Sequence, residues 1–434
     1  MQIINDQSCF WINDLEPRNK IKSLLNNDIC DFIIIGAGYT GLSAARTLSK
    51  LNTEKKIIIV DAQLAGEGAS SRNSGYLVDT ALNEGFISTK NISAYQKKTN
   101  LYQAGIASVK KYIQEHQVDC DWNECGKYYA SSDLNDLKIL NNFSKNLKAQ
   151  NIKHQILSEE ELKKKLGTSF YKTGLYTNSG ILLHPGKLAR SMIKTLPSNV
   201  HLFEKTQLIN WEEKKDFIIC KFKEYSINSK KIIFCNNGFF SSLNIKKNYN
   251  FPITLTASTT RPLTQIELNE MGNPSEWGVL SVKPMGATIR LTKDKRISIR
   301  NTAEIKNPNF MSNEDLKERK KIHLKGIQKR FPYLPDDIIE STWSGIACRS
   351  GNGSQLFEKI NEKIFIAGCF NGAGIGLGIL FGEHIAMKAS NESTIETELI
   401  ENRTKPNWLP PQPFLNLGIK LKLMFERTRA AQEI

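Results

Sequence analysis

The sequence has few cysteines, and they do not form the pattern of a disulfide framework or a metal site. Only eight occur in 434 residues, and the closest pair, Cys120 and Cys125, is not a CxxC motif. This spacing excludes a small disulfide scaffold and a zinc ribbon, so we expect no metal. The amino-terminal segment lacks the basic start and apolar run of a secretory signal. We therefore expect a cytoplasmic protein.

Acidic residues are the minority among the charged residues. The 44 Asp and Glu residues stand against 59 Lys and Arg residues, which leaves a formal net charge of +15. An excess of this sign attracts anions such as nucleic acid or phospholipid headgroups. The lysines are scattered in pairs and triplets, however, as on solvated faces, and no aromatic-basic recognition module is present. We expect no specific nucleic-acid partner.

Long low-complexity tracts are also missing, while 40% of the residues are hydrophobic and 9% are aromatic. A chain of this length has room for roughly two or three domains of about 150 residues each. It can bury a sizeable core, so we expect a folded protein and exclude a disordered one.

The first strong pattern is a strand, a turn and a helix in DFIIIGAGYTGLSAARTLSK, which begins at Asp31. Its glycines, Gly36, Gly38 and Gly41, have the GxGxxG spacing, and a second apolar run ends in Asp61. The glycines allow a tight turn, a close approach to a pyrophosphate and close helix packing, and the acidic residue accepts hydrogen bonds from a ribose. The segment predicts dinucleotide binding.

Two further segments are rich in small residues. The first, GEGASSRNSGYL, follows Asp61 and suits either a passage along a pyrophosphate or an ordinary polar connection. The second, IFIAGCFNGAGIGLGILFG, spans residues 364–382 and carries no formal charge. Its length suggests a membrane span, but its six glycines argue for a buried strand, a turn and a helix that begins near Gly374. The helix start would direct its amides and positive dipole at the cofactor.

Together, GAGYTG, VDAQLAGEGASSRNSGYL and IFIAGCFNGAGIG resemble the flavin-dependent amine oxidases of the D-amino acid oxidase family, which includes glycine and sarcosine oxidases. The resemblance covers roughly residues 10–430. It implies an α/β fold, in which a Rossmann-type FAD-binding domain with a central parallel sheet is interleaved with an antiparallel-sheet substrate domain. We assign residues 30–88, 152–240 and 340–392 to the FAD-binding domain, residues 89–151 and 241–339 to the substrate domain, and residues 1–29 and 393–434 to terminal arms.

The resemblance also implies a set of cofactor-binding residues, which includes Leu208 in the strand after His201. Some relatives attach their flavin through a cysteine near the position of Cys348, but we expect non-covalent FAD. The expected cofactor-binding residues are Gly36, Gly38, Tyr39, Thr40, Gly41, Asp61, Ala62, Ser70, Ser71, Arg72, Asn73, Leu208, Gly238, Gly372, Ala373 and Gly374.

Departures from the family pattern concern the substrate. The histidine of the late glycine motif is Ala373 here, and the lysine with which sarcosine-type oxidases hold a carboxylate is Gly376. These changes argue against a simple α-amino acid. Arg290 and Arg300 lie on a predicted hairpin, and either is suited to a substrate carboxylate. Arg300 replaces one of the family's glycines, so we expect Arg300 and Ala373 at the flavin face.

The resemblance implies oxidation of a small-molecule amine or N-substituted amino acid. Hydride would pass from the carbon beside nitrogen to the flavin, the imine would hydrolyse, and oxygen or another acceptor would take the electrons, with hydrogen peroxide formed from oxygen. One alternative is an amine dehydrogenase that passes electrons to a membrane quinone. Its basis is the basic amphipathic segment PFLNLGIKLKLMFERTRA, which either contacts a membrane peripherally or packs across the protein. A second alternative, based on the +15 charge, is an RNA-associated flavoprotein.

Overall fold

The computed structural model describes residue 6 and residues 8–80, 92–306 and 311–434. Most strands lie in two eight-stranded sheets, and β3 (Tyr76–Leu77) pairs separately with β7 (Ile181–Leu182). The mixture of a largely parallel sheet with an antiparallel one confirms the predicted α/β class. The predicted boundary between residues 88 and 89 lies outside the described residues.

The first sheet is built around parallel strands. Its strands are β1 (Asp28–Ile35), β2 (Ile57–Val60), β8 (Val200–Phe203), β9 (Asn210–Glu213), β10 (Ile218–Lys221), β11 (Ser226–Phe234), β17 (Leu356–Lys359) and β18 (Ile364–Gly368). The order is β17-β18-β11-β1-β2-β8, with β10 also paired to β11 and β9 to β10. The contacts of β1 with β2 and β11, of β2 with β8 and of β11 with β18 are parallel.

Strand β1 is apolar on both faces because both faces of the sheet are covered. Phe32 and Ile34 belong to a buried cluster formed with the helices, whereas Ile33 and Ile35 belong to a second cluster on the opposite face. This division follows the two-residue alternation of a strand. The helices of the first cluster are α2 (Tyr39–Leu51), α3 (Ile92–His116), α6 (Pro185–Lys194), α9 (Gly376–Ala389) and α10 (Ile395–Glu401).

The second sheet is antiparallel except between β13 and β4. Its strands are β4 (Lys127–Ser131), β5 (His154–Ser158), β6 (Thr173–Thr177), β12 (Phe251–Thr260), β13 (Trp277–Ser281), β14 (Thr288–Leu291), β15 (Ile297–Glu304) and β16 (Ile339–Arg349). The order is β16-β12-β15-β14-β13-β4-β6-β5. The remaining helices are α1 (Phe10–Asn13), α4 (Leu137–Ala149), α5 (Glu159–Leu166), α7 (Gln265–Glu270), α8 (Asn313–Arg330) and α11 (Phe414–Ala430).

The sheets divide the chain differently from the predicted domains at three strands. Strands β5 and β6 lie within residues 152–240, and β16 covers the beginning of residues 340–392, yet all three pair in the second sheet. The domain assignment itself stays a prediction. Among the described helices, none is long and apolar enough to cross a membrane.

Glycines bring helix α2 into backbone contact with two neighbours. A β-carbon added at Gly41 would overlap the carbonyl oxygen of Gly36, and one added at Gly382 on α9 would overlap the carbonyl oxygen of Thr40. The hydroxyl of Ser43 on α2 also donates to the carbonyl oxygen of Ile379 on α9, over 2.8 Å. Helices α2 and α9 therefore pack closer than side chains would allow.

We predict that Gly382→Ala destabilises the protein by about 1–3 kcal/mol, because the added methyl group forces α2 and α9 apart. The control is Gly418→Ala on α11, where an added β-carbon meets nothing within 4 Å. That change should be neutral or should stabilise by up to about 1 kcal/mol. Urea unfolding followed by tryptophan fluorescence measures both variants. Equal unfolding midpoints for Gly382→Ala and the unchanged protein would contradict the predicted clash.

Candidate functional site

One cavity, with a volume of about 420 Å³, lies where the parallel strands of the first sheet end. Residues just after β1, β2 and β11 line it, and this edge is where open α/β sheets bind ligands. Strands of the second sheet close its other side. The predicted site residues that line it are Gly36, Gly38, Tyr39, Thr40, Asp61, Ala62, Ser70, Arg72, Asn73, Leu208, Gly238, Arg300, Gly372 and Gly374.

Helix α2 begins at the cavity. Its N-cap is Gly38, which has no side chain of its own to accept from the amides of the first turn. The Tyr39 N–H donates to Ser70 Oγ over 2.9 Å, and a β-carbon added at Gly38 would lie 2.9 Å from that same oxygen. Exposed amides and the positive end of the helix dipole make this turn a site for an anionic group such as a pyrophosphate.

Asp61 follows β2 and helps to hold the same turn. Its Oδ2 accepts from the Ala37 N–H over 2.9 Å, and its Oδ1 accepts from the Gln63 N–H over 2.8 Å. Burial raises the pKa of the Asp61 carboxyl above its usual value, against the effect of these two hydrogen bonds. Each carboxylate oxygen still has a lone pair for a further donor, so the pair suits a ribose diol.

Leu208 lines the same end of the cavity, but not from a strand. We expected it in the strand after His201, whereas β8 ends at Phe203 and β9 begins at Asn210. The Thr206 N–H donates to the Asp61 carbonyl oxygen over 2.8 Å. That bond holds the connection between the two strands beside β2 and so brings Leu208 to the cavity.

The loop of small residues after Asp61 is stabilised in part by hydrogen bonds from its own polar side chains. Asn73 donates to the Ser70 carbonyl oxygen and accepts from the Gly75 N–H, and buried Ser71 donates to the Gly66 carbonyl oxygen. Ser71 therefore stabilises the loop and does not line the cavity. The structure shows the internal hydrogen bonds of this connection and places Ser70 and Asn73 in the cavity wall. That the segment lies along the cofactor stays a prediction.

Arg72 lines the cavity and anchors the loop through a buried ion pair. Its guanidinium lies 3.0 Å from Asp6 Oδ1 and donates to the Ser344 carbonyl oxygen over 2.9 Å. Burial alone would raise the pKa of Asp6, but the charge of Arg72 and hydrogen bonds from Ser344 lower it. The amino-terminal segment, the loop and β16 are thereby joined at the cavity wall.

The late glycine segment forms the strand, turn and helix predicted from sequence. Strand β18 ends at Gly368, Gly372 has a φ of 103°, and α9 begins at Gly376 without a side-chain cap. A β-carbon added at Gly372 would meet nothing within 4 Å, so its backbone is open to the cavity. Ala373 is buried, and its N–H donates to the Phe370 carbonyl oxygen, which directs that amide into the turn.

Arg300 on β15 reaches the cavity from the second sheet. Its guanidinium donates to Thr288 Oγ1 over 2.5 Å, and no ion pair joins it to a carboxylate among the described residues. Desolvation, together with the like charge of Arg349, lowers its pKa to about 10. It therefore stays a cation at neutral pH.

Arg290, the other candidate on this hairpin, uses its guanidinium in contacts within the protein. It pairs with Glu276 at 2.7 Å and donates to the carbonyl oxygens of Ser74 and Leu183. The predicted hairpin itself is present as β14 and β15.

Sequence reasoning missed Lys127, a cavity-lining lysine that is 2% exposed. Its ammonium group pairs with buried Asp79 and donates to the Thr80 carbonyl oxygen over 2.9 Å. Burial alone would lower the pKa of Lys127, but Asp79 raises it. The partners are 48 residues apart, so no local pattern could have indicated the pair.

Cys348 also lines the cavity, in β16. The residue is 1% exposed, and its thiol donates to Asn250 Oδ1 over 3.6 Å. Burial raises the pKa of this thiol well above its usual value, and the neighbouring Cys369 adds to the effect. A protonated thiol is a weak nucleophile, which favours the predicted non-covalent attachment of the cofactor.

Comparisons with known proteins agree with this geometry. A family model described as DAO, FAD dependent oxidoreductase, matches residues 31–387. The gamma-glutamylputrescine oxidoreductase of Escherichia coli K12 is 22% identical over 370 residues, which cover 83% of this chain and 84% of that protein. The probable oxidoreductase OrdL of Haemophilus influenzae is 26% identical over 374 residues, with coverage of 83% and 82%.

A solved structure gives the same fold. Glycine oxidase from Geobacillus kaustophilus superposes with a TM-score of 0.71 at 16% identity, over 85% of this chain and 96% of that one. The residues present at the cavity also fit FAD. Two uncapped helix N-termini and the open backbone at Gly372 suit its phosphates and ring carbonyls, and Asp61 suits its ribose.

We predict that Asp61→Ala weakens FAD binding about ten- to hundred-fold, because a charge-assisted hydrogen bond contributes about 1.5–3 kcal/mol. Titration of the apoprotein with FAD, followed by quenching of flavin fluorescence, gives the dissociation constant. Asp61→Asn, which retains one oxygen acceptor, should lose less. An unchanged dissociation constant in Asp61→Ala would show that the carboxylate does not contact the cofactor.

Non-covalent attachment predicts that denaturation releases the flavin. After acid precipitation of the purified holoprotein, its yellow absorbance should appear in the supernatant, and Cys348→Ala should behave in the same way. The prediction would be contradicted if the flavin stayed in the pellet with the unchanged protein but appeared in the supernatant with Cys348→Ala.

Proposed function

Because this chain belongs to the DAO family of FAD-dependent oxidoreductases, which act on amines and amino acids, we propose that it oxidises the carbon–nitrogen bond of a small amine that also carries an acid group. The observation that carries this proposal is the position of Arg300 in the cavity wall, without a carboxylate partner among the described residues.

In the proposed reaction, the substrate carbon beside nitrogen is oxidised and becomes an imine. When bound, FAD supplies a two-electron acceptor for the hydride from that carbon. The amine loses two electrons and two protons, water adds to the imine to release a carbonyl compound and a smaller amine or ammonia, and molecular oxygen takes the electrons and protons to give hydrogen peroxide.

The charges around the cavity are the reason for proposing an acid group on the substrate. Arg72 is paired with Asp6, and Lys127 is paired with Asp79. Arg300 donates to the neutral Thr288 hydroxyl and has no carboxylate partner within the described part of the chain, and the like charge of Arg349 is near it. A carboxylate would pair with the Arg300 guanidinium, which binds such a group through two parallel hydrogen bonds. Arg300 thus orients the substrate by its acid group.

The proposal requires the amine to bind in its neutral form. Among the described residues that line the cavity, none is a histidine, and Asp61, the carboxylate among them, belongs to the end around β2. The described residues of this wall therefore supply no histidine or nearby carboxylate as a base for the ammonium proton. In the proposed reaction the proton leaves the amine in solution before binding, so kcat/KM rises with pH through the pKa of the free amine.

A second candidate function differs in the electron acceptor, which would be a quinone held in a membrane. The exposed apolar face of α11 favours it, since that face is suited to a lipid surface. Peroxide release in air distinguishes the two, because only the oxidase forms it. Amine-dependent reduction of a quinone analogue, without peroxide, would favour the dehydrogenase.

A panel of paired substrates tests the acid group. In a peroxidase-coupled assay, N-alkyl amino acids and γ-glutamyl amines should release peroxide, whereas their esters and free polyamines should react poorly. Arg300→Met should raise KM for the acids about ten- to hundred-fold and leave the esters nearly unchanged. Arg300→Lys, which retains the charge, should recover part of the loss. An equal effect of Arg300→Met on acids and esters would exclude the proposed contact.

The pKa of Arg300 predicts an alkaline limit. The guanidinium is charged below pH 10 and loses its charge as the pH rises through about 10. Since kcat/KM reports ionisations of the free enzyme and free substrate, its value for an acid-bearing amine should fall above that pH. The falling limb should be absent in Arg300→Met. A falling limb that persists in the variant would assign it to another group.

A further inference from the structure

Helix α11 has two apolar faces, and only one of them packs on the protein. Leu423 and Ala430 pack against Ile253 and Ala303 of the second sheet and against Met285, between β13 and β14, and Leu415 is also buried. The opposite face carries a second apolar stripe. Its members are more than half exposed: Phe414 68%, Leu417 59%, Leu421 53%, Met424 61% and Phe425 62%.

The stripe has the spacing of one continuous helix face. Its residues follow one another at three- and four-residue steps, apart from the adjacent pair Met424 and Phe425, so at 3.6 residues per turn they fall in one arc. Scattered exposed apolar residues are ordinary on a protein surface, but a contiguous stripe marks an interaction surface. We call Phe414, Leu417, Leu421, Met424 and Phe425 the α11 stripe.

Basic residues flank the α11 stripe on both sides. Lys420 and Lys422 are exposed and adjoin Leu421, so each lies about 100° round the helix from it, in opposite directions. Arg429 is exposed as well, and its guanidinium lies 5.7 Å from the centre of the Phe425 ring. Glu426, the acidic residue of the helix, is only partly exposed and lies toward the packed side.

An apolar stripe flanked by cations on both sides is complementary to an anionic lipid surface. The apolar side chains enter the boundary between headgroups and acyl chains, while Lys and Arg side chains reach up to the anionic headgroups. From this geometry we infer that α11 docks the protein on an anionic bilayer, with the helix lying in the plane of the membrane. The proposal concerns location and goes beyond the reaction.

The packed face of α11 connects this surface to the cavity. Leu423 lies in the same cluster as Leu255 and Ala347, and both of those residues line the cavity. Helix α11 therefore lies between the proposed lipid surface and the second sheet, which forms the cavity wall that carries Arg300. Docking through α11 brings the cavity wall within one helix diameter, about 10 Å, of the membrane surface.

Vesicle flotation tests the proposal with the full-length, FAD-loaded protein. The protein should float with vesicles of equimolar phosphatidylcholine and phosphatidylglycerol, and much less with phosphatidylcholine alone. Leu421→Glu and Lys420→Glu/Lys422→Glu should each lower the ratio of bound to free protein about ten-fold or more. Added salt should weaken binding, because it screens the attraction between lysines and headgroups.

Two matched controls separate docking from general changes of charge or hydropathy. Ile395→Glu replaces an exposed apolar residue on α10, which is 83% exposed, and Lys163→Glu/Lys164→Glu makes the same charge change on α5. Both should float like the unchanged protein. The flavin absorbance spectrum confirms that each variant is folded, and flotation does not depend on any amine being oxidised.

Three results would overturn the proposal. The first is protein that stays unbound with anionic vesicles. The second is loss of flotation in the controls to the same extent as in the α11 variants. The third is a dimer, seen by analytical ultracentrifugation of the unchanged protein without lipid and dissociated by Leu421→Glu, because it would assign the α11 stripe to a second copy of the chain.

Discussion

Backbone contact around helix α2 sets the geometry of the cavity at the edge of the first sheet. Because Gly41 has no side chain, α2 contacts the backbone of the turn at Gly36, and because Gly382 has none, α9 contacts the backbone of α2. These contacts fix two helix N-termini, neither of them capped by the side chain of its own N-cap residue, at the same edge of the first sheet. Since each N-terminus carries a partial positive charge, their convergence gives an electron-rich cofactor a preorganised site.

The charged residues that line the cavity differ in whether a buried carboxylate pairs with them. Arg72 and Lys127 are held by buried carboxylates, and those pairs join segments that are distant in sequence. Breaking either pair would leave a buried charge without a partner, which is strongly destabilising. Arg300 has no such carboxylate among the described residues, and it lies on the sheet that closes the cavity. Arg300 is therefore the residue that we propose for binding the substrate, whereas Arg72 and Lys127 stabilise the cavity wall.

The parts of the site that sequence predicts are those encoded locally. The glycine turn at Gly36, the acidic end of β2 and the turn before α9 each follow from a short run whose residues directly determine the backbone. Lys127 and Asp79 could not be paired from sequence, since their contact depends on how β4 meets the loop after β3. Strand β16 likewise joins the second sheet through its partner β12, which its own composition does not specify.

The central claim is that this flavoprotein oxidises an amine whose acid group is held by Arg300. Anaerobic stopped-flow mixing of the FAD-loaded protein with an acid-bearing amine, and with its methyl ester, tests it most directly because it isolates the first half-reaction from the electron acceptor. We expect the flavin absorbance to bleach with the acid, at a rate that saturates with concentration, and to bleach far more weakly with the ester. Flavin that stays oxidised with every acid-bearing amine, or that bleaches equally with the esters, would contradict the account.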